Sequence, residues 1–87
     1  MTVKLHGSFA IHPGPWLREH VLKPYGMTIT GVAGHLQVSR PVLSRVLNGN
    51  APITPKMAIS FEEVFGISAG TLLRMQSSHD HAKRRLQ

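Results

Sequence analysis

The stretch from Thr28 to Gly49 constrains the fold of this chain most. Thr28 can cap a helix whose apolar stripe is Val32, Ala33 and Leu36. Ser39 can cap a second helix, with Leu43, Val46 and Leu47 facing inward and Asn48-Gly49 ending it. A side-chain oxygen on Thr or Ser satisfies backbone N–H groups that a helix start leaves without partners. Two short capped helices separated by a turn of about three residues have few ways to bury both stripes.

The rest of the chain is punctuated in the same manner. His12-Pro13-Gly14-Pro15 opens a segment with Trp16, Leu17, Val21 and Leu22 at helical spacing. It stops before Pro24, because proline disfavours helix in the residue preceding it. Thr54-Pro55, a cap followed by proline at the first helical position, starts a helix that buries Met57, Ala58, Phe61, Val64 and Phe65 and closes at Gly66. Ser68 caps another, carrying Leu72, Leu73 and Met75 into a basic tail. No period-2 alternation runs beyond a few residues. The sequence predicts an all-α fold with helices near residues 13–23, 28–36, 39–48, 54–66 and 68–84. A short N-terminal strand at residues 2–6, around Val3-Lys4-Leu5, is the one strand allowed. At 87 residues the expectation is a single domain, 1–87, with an N-terminal arm over 1–11 and a basic helix end over 77–87.

Ten Lys and Arg against four Asp and Glu leave a net charge of +6, the balance of a chain that seeks polyanions. Residues 27–49 carry Arg40 and Arg45 and no acid. A solvated helical face usually mixes both signs, so arginines alone point to phosphate. The absence of cysteine excludes disulfides, thiolate zinc sites and a cysteine nucleophile. No apolar run approaches the ~18 residues of a membrane span. The N-terminus lacks an apolar h-region and a cleavage site, so a cytoplasmic location is expected. No Gly-Xaa-Ser-Xaa-Gly elbow, Gly-rich phosphate loop or His-Glu-Xaa-Xaa-His is present, so neither enzyme chemistry nor a cofactor is expected. His79 and His81, two apart, point to different sides of a helix, and no metal site is expected there.

Thr28 to Gly49 is the helix-turn-helix arrangement, and its second helix is the recognition helix. That helix needs a capped N-terminus pointing into the major groove and donors on its exposed face. Arg40, Pro41, Ser44 and Arg45 are the candidate base contacts. Arginine reads guanine through O6 and N7, while Pro41 contributes shape only. Thr28, Thr30, Ser39, Asn48, Asn50 and Lys56 are the candidate phosphate contacts. Val42 is expected to be half-buried rather than set against a thymine methyl. Trp16 is expected in the core.

The chain resembles the XRE-type helix-turn-helix proteins, and within them the HigA family of antitoxins. The resemblance is carried by His12-Pro13-Gly14, Trp16-Leu17-Arg18-Glu19 and Leu22-Lys23-Pro24, then Val38-Ser39-Arg40 and Ser44-Arg45-Val46-Leu47-Asn48-Gly49. Pro52-Ile53-Thr54, Met57-Ala58 and Phe65-Gly66 complete it, over residues 11–76. It implies a five-helix lambda-repressor-like domain in a small, nucleoid-associated bacterial antitoxin. Such a protein binds double-stranded operator DNA as a homodimer, represses its own operon and neutralises a RelE-like ribonuclease toxin. The toxin surface is expected on the first helix around Arg18, Glu19 and His20, away from the recognition helix. The dimer contact is expected on the last helix, with Leu72, Leu73 and Met75 shared between subunit core and interface. A free-standing helix-turn-helix regulator without a toxin is the alternative. The chain departs from the pattern at Gln37, where the turn calls for glycine with positive φ, and at Ile29, where a phosphate-touching glutamine is common. His81 and Ala82 stand where the last helix usually carries bulky apolar residues.

Overall fold

Four helix starts carry the caps that the sequence predicts. Thr28 Oγ1 accepts from the Gly31 N–H at 3.0 Å, Ser39 Oγ from Val42 at 3.3 Å, Thr54 Oγ1 from Met57 at 3.2 Å and Ser68 Oγ from Thr71 at 3.1 Å. The computed structural model describes residues 11–86, with side chains through residue 83. The strand expected at 2–6 and most of the arm lie outside these residues.

Helix α1 spans Pro13–Leu17 and continues as a π-helical stretch, Arg18–Leu22. It is followed by α2 (Ile29–Leu36), α3 (Arg40–Leu47), α4 (Pro55–Phe65) and α5 (Ala69–Leu86). Among the described residues there is no strand. The first helix differs from the uniform α-helix expected: Lys23 N–H bonds the Arg18 carbonyl five residues back, at 3.0 Å.

The core runs from Leu17 and Leu22 through Leu36, Leu43 and Leu47 to Phe61 and Leu72. Two expectations about packing are corrected. Val64 is 42% exposed and not buried, and Phe65 is only partly buried against the core. Leu72 is wholly enclosed by its own subunit, at 0% exposure.

The turn between α2 and α3 bends at Gln37, with φ 58° and ψ 42°. It is the one non-glycine residue with positive φ among the described residues. A side chain in this left-handed geometry costs about 1–2 kcal/mol. The Gln37 N–H reaches back to the Gly34 carbonyl at 3.3 Å and Val38 N–H to that of Ala33 at 3.1 Å, closing α2 and redirecting the chain into α3.

Helix α1 is seated directly on the backbone of α3. A Cβ at Gly14 would stand 1.7 Å from the Val46 carbonyl oxygen, so only glycine permits this approach. His12 caps α1 from the side: its Nδ1 accepts from the Gly14 N–H at 2.9 Å. Its Nε2 bonds the Ala51 carbonyl at 3.0 Å. Buried Gln76 of α5 accepts from the Ile53 N–H at 2.8 Å. These two side chains fasten the α3–α4 loop to the start of α1 and to α5.

Candidate nucleic-acid interface

On α3, burial of Leu43, Val46 and Leu47 turns Pro41, Arg45 and Asn48 to solvent and leaves Ser44 half-buried. The Ser39 cap leaves the first turn of α3 open to solvent at Ser39, Arg40 and Pro41. Arg40 is exposed, and its Nε donates to Thr30 Oγ1 of α2 at 3.1 Å. That bond fixes the plane of the guanidinium and leaves both Nη groups available as a fork. Thr30 is therefore a partner of Arg40, a role that the sequence reading missed.

Ser44 and Asn48 belong to an internal chain of hydrogen bonds. Asn48 Nδ2 donates to Ser44 Oγ at 3.4 Å. Arg18 Nη1, from the π-helical stretch, donates to Asn48 Oδ1. The expectation that Arg18 lies away from the recognition helix is thus corrected: it is tied to the C-terminal end of α3. Glu19 pairs with Lys23 at 3.1 Å and with Arg18 Nε at 3.4 Å. The Lys23 hydrogen bond holds its carboxyl below the usual range. The Glu19–Lys23 pair is solvent-exposed and contributes little to stability. His20 is exposed, with its ring tilted on half-buried Trp16 at 5.3 Å.

Arg45 and Lys56 border a groove of about 320 Å³ between α3 and α4, with Val38, Val46 and Met57 among its apolar lining. Val42 also lines it and is 48% exposed, about half-buried as expected. It precedes inward Leu43 by one residue, on the flank of α3 that turns toward the α4 start. Thr28, Asn50 and Lys56 are exposed around this face. From His20 to Phe61 the sequence contains no acid, so α2, α3 and the start of α4 offer cations, amides and hydroxyls and no carboxylate of their own to repel phosphate. The residues assigned to the last helix separate: Leu73 and Met75 are partly exposed, whereas Leu72 has no surface to give an interface.

A capped, exposed, acid-free α3 held against α2 by a tight left-handed turn defines a helix-turn-helix protein of the DNA-binding class. The helix-turn-helix family model HTH_3 matches residues 19–72, and the chain belongs to this family as an XRE-type domain. It is 37% identical over 71 residues to "Virulence-associated protein I" of Dichelobacter nodosus, covering 82% of this chain and 66% of that protein, just under two thirds of its length. Among solved structures it is similar to antitoxin GraA, with a TM-score of 0.86 and 26% identity over 90% of this chain and 84% of that one. It is likewise similar to the Pseudomonas aeruginosa antitoxin HigA with the higBA promoter, with a TM-score of 0.82 and 29% identity over 86% and 82%. No helix among the described residues is long and apolar enough to cross a membrane.

Proposed function

We propose that this protein is an antitoxin that binds operator DNA as a dimer, represses its own operon and neutralises a RelE-like ribonuclease toxin. The observation that carries the reading is the outward face of α3, where Arg40 and Arg45 stand exposed on a helix without acids. The likeness to HigA, solved with its promoter, supports it. Arg40 and Arg45 read base edges, a bidentate arginine–guanine pair being worth about 1–3 kcal/mol of discrimination. Pro41 and Ser44 supply shape and a hydroxyl. Thr28 and Ser39 accept within their caps, so their hydroxyl protons remain for phosphate, alongside Asn48, Asn50 and Lys56.

One helix-turn-helix makes few contacts, and non-specific affinity is only about 10⁻⁴–10⁻⁶ M at physiological salt. A two-fold dimer with recognition helices about 34 Å apart meets a palindromic site. Leu73 and Met75 supply the α5 contact, without Leu72. Glu19 and His20 remain the surface for the toxin. The working place of such a protein is the bacterial cytoplasm, on the nucleoid.

Titrations on operator and scrambled duplex at several salt concentrations test the DNA part. Arg40→Ala and Arg45→Ala should lose specific binding far more than non-specific binding. Lys56→Ala should weaken both alike and flatten the salt slope by about one unit. Equal losses on both duplexes for the arginine variants would show that α3 does not read bases. Co-expression with the product of the adjacent open reading frame tests the antitoxin part. A pull-down that recovers no partner would leave a free-standing repressor.

A further inference from the structure

We infer that Val42 reads the methyl group of a thymine and so sets base preference beside the two arginines. This rests on the DNA-binding reading above. Val42 is the third residue of α3, in the turn that enters the groove first. Its side chain is 48% exposed, although the next residue, Leu43, is wholly buried. A single exposed valine is ordinary on a protein surface. This one lines the apolar α3–α4 groove together with two cations, Arg45 and Lys56.

The chemistry narrows the occupant. With Lys56 holding the DNA backbone and Arg45 reading a base edge beside it, the apolar surface of Val42 is brought against the neighbouring base edges. In the major groove, guanine and adenine present hydrogen-bonding groups that valine cannot partner, and cytosine presents an amino donor. Thymine alone adds a methyl group. A polar edge pressed against Val42 loses water without gaining a partner. A methyl group loses nothing and gains burial. Val42 therefore discriminates by penalty as well as by contact, which neither Arg40 nor Arg45 can do for thymine.

The test uses the intact protein and a duplex that it selects from a random-sequence pool. Each thymine of the selected duplex is replaced singly by deoxyuracil, which removes only the 5-methyl group. Wild-type binding should fall about fourfold at one position per half-site, the worth of one buried carbon. Val42→Ala, checked for an unchanged melting temperature, should bind thymine and uracil alike at that position and keep its preference for guanine elsewhere. A wild-type protein that selects a sequence yet is indifferent to uracil throughout overturns this inference alone. So does a Val42→Ala variant that keeps the wild-type response to uracil. A wild-type protein that selects no sequence removes the DNA-recognition reading and this inference with it.

Discussion

Arg40 Nε donates to Thr30 Oγ1 at 3.1 Å, joining the first turn of α3 to the first turn of α2. The bond spans the helix-turn-helix unit and holds a long side chain in one orientation before any ligand arrives. Ordering such a side chain on binding costs about 0.5–1.5 kcal/mol. Thr30→Val keeps the shape and removes the acceptor. It should therefore weaken specific DNA binding about threefold to tenfold by the same estimate, with non-specific binding unchanged. In the Arg40→Ala background the Thr30 change should have no further effect, which a double-mutant cycle reads directly.

Two glycines make an opposed pair. Gly14→Ala forces a Cβ into the Val46 carbonyl oxygen, a backbone atom that cannot rotate away. Urea denaturation should show a loss of about 2–3 kcal/mol or more. Gly34 lies within α2, and a Cβ there meets nothing within 4 Å. Gly34→Ala should add up to about 1 kcal/mol, the helix-propensity difference.

Gln37 holds a left-handed conformation at φ 58°. Gln37→Gly relieves the clash between Cβ and backbone and should stabilise the fold by about 1 kcal/mol in the same assay. Gln37→Val, β-branched, should destabilise it.

His12 makes stability depend on pH. Its Nδ1 accepts from Gly14 and its Nε2–H donates to Ala51, so the ring must be neutral. Burial lowers its pKa below the ordinary 6.5. The Ala51 hydrogen bond and Asp80 oppose the shift, while His79 and Lys83 add to it. The unfolded chain takes up the proton first as pH falls, so it binds more protons than the folded chain below 6.5. This contribution is full above 6.5 and is lost as pH drops through the folded value. His12→Asn retains a capping oxygen but does not titrate. Its melting temperature should be lower than wild type above pH 6.5 and should vary less with pH below it.

Helix starts and the inward stripes were legible in the sequence because both are local. A cap acts on a backbone N–H three residues away, and an apolar stripe repeats every three or four. Thr28, Ser39, Thr54 and Ser68 thus located four of the five helices to within about two residues. The outward face of α3 followed from the same periodicity. Tertiary structure alone decided the rest, since it joins residues far apart in the chain. Nothing near His12-Pro13-Gly14 indicates that Gly14 meets Val46, or that the imidazole spans from Gly14 to Ala51. The same holds for Arg18 with Asn48 and Thr30 with Arg40. Val42 and Leu72 show the limit most plainly. Both are apolar residues on helices with a clear inward stripe, yet Val42 keeps 48% of its surface exposed and Leu72 keeps none. Periodicity states which way a side chain faces. How deep it lies depends on the neighbouring helix, whose position is set by packing over the whole core.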